Sequence, residues 1–130
     1  MSRRDGLGGR VILVVEDDWL IAEDIAVAIR REGARVVGPA ASSDDALRLI
    51  EDEPGIDLAV LDVALAHDGG LEVADALEAR GVPFVFATGY DRAILPLRFQ
   101  GAPHWEKPFD ADALARFLTA PARPGAEHPA

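Results

Sequence analysis

The chain has 130 residues, of which 49% are hydrophobic and 28% charged, enough for one domain with a single core. It contains no cysteine, which excludes disulfides, thiolate metal sites and cysteine nucleophiles. Its 23 acidic and 13 basic residues give a net charge of −10, which opposes binding to nucleic acids and anionic membranes. The longest aliphatic run, Val11–Val15, is far shorter than the roughly 20 residues of a membrane span, and nothing before it resembles a signal peptide. We therefore expect a soluble, cytoplasmic protein.

Strand-forming and helix-forming patterns alternate along the chain. Continuous aliphatic and β-branched runs predict strands covered on both faces, and apolar residues at helical spacing predict the helices between them. In chain order, the sequence predicts a strand over 11–15, a helix over 19–31 and a strand over 34–37 that is closed by Gly38 and Pro39. A helix then runs from 43 to Pro54 and Gly55, followed by a strand over 56–61 and a helix from 71 to Gly81. The last predicted elements are a strand over 83–87, a helix within 91–100, a strand over 102–105 and a helix over 110–118 that is capped by Asp110. This alternation predicts a doubly wound, flavodoxin-like α/β fold with a parallel sheet of five strands.

Capping and helix-breaking residues mark several boundaries. Asp18 is placed to cap the first helix, and Gly33 to end it. Ser42 or Ser43 is placed to cap the second helix. Pro96 falls in the middle of 91–100, and a proline inside a helix costs about 3 kcal/mol, so this fourth helix is expected to be short or irregular.

Charged and polar residues follow four of the five predicted strands. Glu16 and Asp17 follow the first strand, Asp62 the third, Thr88 the fourth and Lys107 the fifth. Open parallel sheets bind their ligands outside the carboxyl ends of the strands, so these residues are expected to converge at one edge. Each of them alone is commonly a helix cap or a solvated side chain, but capping explains only one or two of the set.

The three carboxylates need a cation beside them. Two like charges about 5 Å apart repel by roughly 3 kcal/mol at an effective dielectric constant near 20, so Glu16, Asp17 and Asp62 are not all ionised together without compensation. Carboxylate oxygens without His or Cys partners favour a hard cation, and a few ligands with open positions suit Mg²⁺. Asp62, which ends the most apolar strand, is then the best nucleophile for a phosphoryl group, with Lys107 and Thr88 contacting phosphoryl oxygens.

Four motifs, VILVVEDD, IDLAVLD, FATGY and EKPF, occur in this order along the chain. Together they resemble the receiver domains of two-component response regulators, and the resemblance covers about residues 10–118. A receiver domain is therefore expected over 10–120, between flexible tails at 1–9 and 121–130. The resemblance implies the following roles: Asp62 as the phosphoacceptor, Asp17 as a direct Mg²⁺ ligand, Glu16 as a ligand through water, the backbone carbonyl of Ala64 as a further ligand, Thr88 as the switch hydroxyl and Lys107 as the phosphate-pairing lysine.

The segment PFVFATGY, residues 83–90, is similar to a subgroup of often single-domain receivers marked by the motif PFxFATGY. That similarity implies that a sensor histidine kinase, of the HWE or a related class, supplies the phosphoryl group. No second domain follows residue 118, so we expect a stand-alone receiver that signals to a downstream protein partner. The sequence leaves three outputs open: a change from monomer to homodimer, inhibition of a kinase, or storage of phosphate.

The chain departs from the receiver pattern before its lysine. Three residues before Lys107, where receivers usually carry a rotating Tyr or Phe, the chain has His104, followed by Trp105. The segment between Thr88 and Lys107 is also shorter than usual and contains Pro96. We therefore expect the surface that most receivers use for output to be remodelled or mobile.

Three other functions fit the same fold. A phosphorylation-independent interaction scaffold is compatible with the departure at His104. A phosphatase of the haloacid dehalogenase type would need a second Asp two residues after Asp62, where Ala64 stands. A flavin or nucleotide carrier would need a Gly- or Ser/Thr-rich loop after the first strand, where three acidic residues stand instead. We therefore expect no enzyme activity beyond the protein's own phosphorylation and dephosphorylation.

Overall fold

The fold is a parallel five-stranded sheet covered by helices on both faces. A computed structural model describes residues 9–62, 71–88, 97–99 and 101–119. The strands are β1 (Val11–Val15), β2 (Arg35–Ala40), β3 (Leu58–Asp62), β4 (Phe84–Thr88) and β5 (His104–Glu106), in the spatial order β2-β1-β3-β4-β5. The helices are α1 (Trp19–Arg31), α2 (Ser43–Asp52), α3 (Leu71–Ala79) and α4 (Ala111–Thr119), and Leu97–Phe99 forms one turn of 3₁₀ helix. The predicted doubly wound sheet is confirmed, and its strand order reverses beside β1.

The core forms two layers, because successive residues of each strand face opposite sides of the sheet. On β1, Leu13 and Val15 pack into a cluster with residues of α2 and α3. Ile12 and Val14 pack into a second cluster with residues of α1 and α4. All four side chains are buried, which explains why β1 appears in the sequence as a continuous apolar run.

Side-chain caps fix the start of three helices. Asp18 Oδ1 accepts hydrogen bonds from the amides of Leu20 and Ile21 at 3.0 and 3.2 Å, as the sequence predicts. The cap of α2 is Ser42, whose Oγ accepts a hydrogen bond from the Asp45 amide at 3.1 Å. The carboxylate of Asp110 accepts a hydrogen bond from the Asp112 amide at 3.0 Å and caps α4.

The predicted end of β2 is wrong. The strand does not stop at Gly38 and Pro39 but continues to Ala40, because the pairing with β1 accommodates one extra residue there. Leu13 pairs with Val37, whereas Val15 pairs with Ala40, so two steps along β1 match three steps along β2. Such a bulge suits an edge strand, which can also accept a proline.

Three predicted segments lie largely or wholly outside the described residues. They are the tails at 1–9 and 121–130 and the helix within 91–100, of which only Leu97–Phe99 is described. Among the helices that the structure describes, none combines the length and the hydrophobicity that a membrane span requires.

Gly38→Ala is expected to destabilise the fold by about 2 kcal/mol or more. Gly38 has a φ of +95°, and an added Cβ would lie 2.7 Å from the Ala40 amide nitrogen and 3.0 Å from the Val14 carbonyl oxygen. Gly55→Ala is the matched control, because a Cβ there meets nothing within 4 Å. Urea unfolding of both variants measures the difference, and equal midpoints would contradict this account of the bulge.

Candidate functional site

Three strands bring the predicted site residues to one edge of the sheet. Glu16 and Asp17 directly follow β1, Asp62 is the last residue of β3, and Lys107 directly follows β5. The registers align these strand ends, since Val15 pairs with Leu61, Asp62 with Ala87 and Thr88 with Glu106. The convergence that the sequence predicts is therefore present for Glu16, Asp17, Asp62 and Lys107.

Glu16 lies at the centre of the cluster and is almost fully buried, with 2% exposure. Its Oε2 accepts hydrogen bonds from the Asp18 amide at 3.0 Å and from Lys107 Nζ at 3.3 Å. Its Oε1 lies 3.0 Å from the same Nζ and accepts no hydrogen bond from the described residues. One buried carboxylate oxygen is therefore held by charge alone.

Burial raises the pKa of Glu16 to about 7. The Asp18 amide lowers that pKa, the negative charge of Asp62 raises it, and the contact with Lys107 lowers it again. The loss of hydration outweighs the favourable contacts, so one ammonium does not fully compensate the acidic cluster.

Lys107 bridges two carboxylates. Its Nζ lies 3.0 Å from Glu16 Oε1 and 3.5 Å from Asp62 Oδ1, and only 22% of its side chain is exposed. Burial alone lowers the pKa of Lys107, but the hydrogen bond to Glu16 and the charges of Asp62 and Glu16 outweigh it, so the pKa rises above 10.5. Lys107 is therefore a fixed positive charge at neutral pH.

The donor set fits a hard divalent cation. Glu16, Asp17 and Asp62 each offer one carboxylate oxygen, and these oxygens lie within 4.8 Å of one another. Asp17 is exposed, whereas Asp62 is buried with 3% exposure, so the cluster runs from solvent into the protein. Three carboxylates against one ammonium leave two negative charges at full ionisation, and oxygen ligands without sulfur or imidazole suit Mg²⁺.

Some predicted site residues are not described at the side-chain level. Thr88 is the last residue of β4, but its side chain is outside the described part of the structure. Ala64 also lies outside the described residues. The predictions for these two residues therefore stay predictions.

Sequence reasoning missed a cleft beside the cluster. Residues of α1 and of the connection from β5 to α4 enclose about 650 Å³, and Lys107 forms one wall of this space. Ile21 and Ile25 of α1 face Phe109 and Ala111 across it, with Asp24 and Glu106 at its border. The signal was available, because Ile21 and Ile25 are one helical turn apart on a helix that begins beside Asp17.

Residues 12–119 match the family model described as the response regulator receiver domain. The chain belongs to this family. Receiver domains are signalling modules of two-component systems that histidine kinases phosphorylate, and they generally bind Mg²⁺ in an acidic pocket. The acidic cluster of this receiver lies at the sheet edge where such a pocket is expected.

Similar proteins agree with this assignment. The receiver is 31% identical over 112 residues to the sensory transduction protein LytT of Bacillus anthracis, covering 82% of this chain and 45% of that protein. It is 33% identical over 124 residues to RegX3 of Mycolicibacterium smegmatis, covering 90% of this chain and 52% of that protein. The chain thus spans about half the length of the curated relatives it matches. The solution structure of SdrG from Sphingomonas melonis Fr1 superposes with a TM-score of 0.71 at 40% identity, covering 88% of this chain and 96% of that one.

In Mg²⁺-free buffer, Glu16→Gln is expected to stabilise the receiver at a pH above about 7. Folded Glu16 keeps its proton up to about pH 7, whereas the unfolded chain releases it near 4.5, so folding stability falls between these values. Removing the carboxylate should remove this loss, a gain of roughly 1 to 3 kcal/mol above that range.

Thermal unfolding across this pH range measures the difference between wild type and Glu16→Gln. Glu51→Gln, which removes an exposed carboxylate of α2, is the control and should follow the wild-type curve. A constant difference between wild type and Glu16→Gln at every pH would contradict the raised pKa.

Proposed function

We propose that the protein is a stand-alone receiver in which Asp62 accepts a phosphoryl group from a histidine kinase, with Mg²⁺ bound at the acidic cluster. The observation that carries the proposal is the position of Asp62, buried at the end of β3, with Lys107 Nζ 3.5 Å from its Oδ1 and Glu16 and Asp17 beside it. Similarity to SdrG, 96% of whose solved chain is covered, supports the stand-alone form.

The rigid setting of Asp62 suits a nucleophile. It ends a strand that lies between β1 and β4, and the residue before it, Leu61, is buried in the core. A carboxylate oxygen of Asp62 attacks phosphorus, the P–O bond forms, and the P–N bond of the phosphohistidine breaks and releases the imidazole. Because Asp62 is held by the sheet, little orientational freedom is lost on reaching the reactive geometry.

Lys107 and the proposed metal site compensate the negative charge of the phosphoryl group. We assign Asp17, Asp62, Glu16 and the backbone carbonyl of Ala64 to Mg²⁺, which when bound neutralises phosphoryl charge. Lys107 Nζ lies 3.5 Å from Asp62 Oδ1 and can pair with a phosphoryl oxygen. We assign to Thr88 a hydrogen bond to a further phosphoryl oxygen.

The cleft beside Lys107 offers an approach for the phosphodonor. It lies beside Lys107 of the acidic cluster, and its lining combines apolar side chains of α1 and of residues 108–111 with the charged side chains of Asp24 and Glu106. We propose a histidine kinase of the HWE class, from the similarity of residues 83–90 to the PFxFATGY subgroup, and a cytoplasmic location with that kinase.

We propose that the receiver signals to a downstream protein partner. Homodimer formation is one form that the output can take. An SdrG structure is described as a BeF3-activated conformation and is 41% identical to this chain, with a TM-score of 0.67, so we propose that the same phosphoryl mimic activates this receiver.

Phosphorylation is expected on Asp62 alone. Incubation with Mg²⁺ and acetyl phosphate should add one phosphoryl group to the intact protein, and Asp62→Asn should abolish that addition. The control, Asp52→Asn, removes an exposed carboxylate of α2 and should be phosphorylated like the wild type. Intact-protein mass spectrometry measures the product.

Two results would contradict this function. An unchanged mass in wild type, with the fold intact, favours the phosphorylation-independent scaffold. Continuous release of phosphate from sugar phosphates favours a metabolic phosphatase.

Asp17→Asn is expected to weaken Mg²⁺ binding by about tenfold or more without unfolding the domain. Asp17 is exposed, so replacing its carboxylate removes a metal ligand at the surface of the cluster and leaves the buried core in place. Calorimetric titration with Mg²⁺ measures affinity, and circular dichroism checks the fold. Equal affinity in wild type and variant would refute the metal assignment.

A further inference from the structure

The bulge in β2 lies directly beside the start of the acidic cluster. Val15, the last residue of β1, pairs with Ala40, and Glu16 follows Val15 in the chain. In a regular parallel ladder, in which both strands advance by one residue at each step, Pro39 would lie opposite Val15 instead. The extra residue of β2 therefore determines which part of that strand meets the end of β1 that carries the site.

Pro39 cannot fill the place that Ala40 occupies. Proline has no backbone N–H, so a proline opposite Val15 would leave a carbonyl of β1 without its ladder partner. Ala40 has an N–H, and its carbonyl accepts a hydrogen bond from the Glu16 amide at 2.9 Å. The side chain of Ala40 is 2% exposed and lies in the core cluster that contains Val15. The bulge thus places a residue that both packs and completes the ladder at the end of β1.

Gly38 allows β2 to make this bulge. Its φ of +95° favours glycine, and a Cβ added there would lie 2.7 Å from the Ala40 amide nitrogen and 3.0 Å from the Val14 carbonyl oxygen. The two strands therefore approach each other so closely at Gly38 that a side chain does not fit. A larger residue at this position must displace Ala40 relative to β1.

Glu16 is held both through its backbone and through its side chain. Its amide donates to the Ala40 carbonyl, and its Oε2 accepts hydrogen bonds from the Asp18 amide at 3.0 Å and from Lys107 Nζ at 3.3 Å. Glu16 and Asp17 supply two of the three carboxylate oxygens that lie within 4.8 Å of one another. The contact with β2 therefore fixes the backbone that carries both of these side chains.

We propose that Ala40 is a positioning residue for the Mg²⁺ site: the bulge places it opposite Val15, and its carbonyl fixes the Glu16 amide and thereby the carboxylates of Glu16 and Asp17. The inference rests on the proposed function, which assigns Mg²⁺ to these carboxylates. Groups that hold metal ligands in place contribute about tenfold or more to metal affinity, although they do not touch the metal. The bulge then sets the affinity of the site as well as the stability of the fold.

Gly38→Ala tests this link in the full chain, because the added methyl group displaces Ala40. We expect the Mg²⁺ affinity, measured by calorimetric titration, to fall about tenfold. In the metal-free protein, the Glu16 amide should lose its protection against hydrogen exchange, measured by nuclear magnetic resonance, because its acceptor has moved. The control Ile29→Val removes a buried methyl group in the core cluster on the α1 and α4 side, away from the bulge. It lowers the stability of the fold, but its Mg²⁺ affinity should stay within about twofold of the wild-type value.

Deletion of Pro39 tests the same link if Gly38→Ala does not fold. Without this residue β1 and β2 match step for step, and Ala40 lies opposite Val15 in a regular ladder. The Glu16 amide should therefore remain protected, and the Mg²⁺ affinity should stay within about twofold of the wild-type value. The same deletion made in Gly38→Ala should restore both quantities, because an alanine fits a regular strand.

The outcomes separate this inference from the proposed function. Absence of Mg²⁺ binding in wild type would refute the proposed metal site itself. If wild type binds Mg²⁺, an unchanged affinity in Gly38→Ala would overturn the positioning role, and so would an equal loss of affinity in Ile29→Val. The role is also overturned by a folded bulge variant that loses Mg²⁺ affinity while its Glu16 amide stays protected, or that keeps the affinity when this amide is unprotected.

Discussion

The burial of negative charge at the end of β1 is the constraint on which the site depends. Glu16 is 2% exposed and lies beside the carboxylate of Asp62, a placement that desolvation and repulsion both oppose. The Asp18 amide and the Lys107 ammonium offset part of this cost, yet the pKa of Glu16 still rises to about 7. Because the buried negative charge is only partly compensated, a cation bound at the cluster lowers the free energy of the folded protein. The same electrostatics that destabilise the metal-free fold therefore favour Mg²⁺ binding.

The strand order makes this concentration of charge geometrically feasible. Glu16 and Asp62 come from the neighbouring central strands β1 and β3, whose registers align Val15 with Leu61. Lys107 follows the edge strand β5, two strands away from Asp62, and its four-carbon side chain spans the gap to reach both carboxylates. The lysine thus reaches the cluster from the edge strand, whereas the two carboxylates follow central strands that the sheet holds on both sides.

Sequence reasoning succeeded where local patterns determine the structure. Continuous apolar runs identified the central strands β1, β3 and β4, and the residues that follow the strands identified the acidic cluster, because parallel strands all end at one edge. It failed at Gly38, since a turn-forming residue within an edge strand cannot be distinguished from the end of that strand without its pairing partner. The stacking of His104 on Phe86 and the burial of Phe99 depend on contacts between distant segments, which periodicity does not report. The role proposed for Ala64 came from family resemblance alone.

The two faces of the sheet surround the site with different side chains of β5. His104 and Trp105 are adjacent on β5 and therefore point to opposite faces. Trp105 packs on the α1 and α4 side, where the cleft beside Lys107 opens, whereas His104 stacks on Phe86 on the α2 and α3 side. A partner can thus occupy the cleft without contacting His104 or Phe86. Since β5 contributes side chains to both faces and ends just before Lys107, packing on both faces of the sheet fixes the position from which the lysine side chain reaches the acidic cluster.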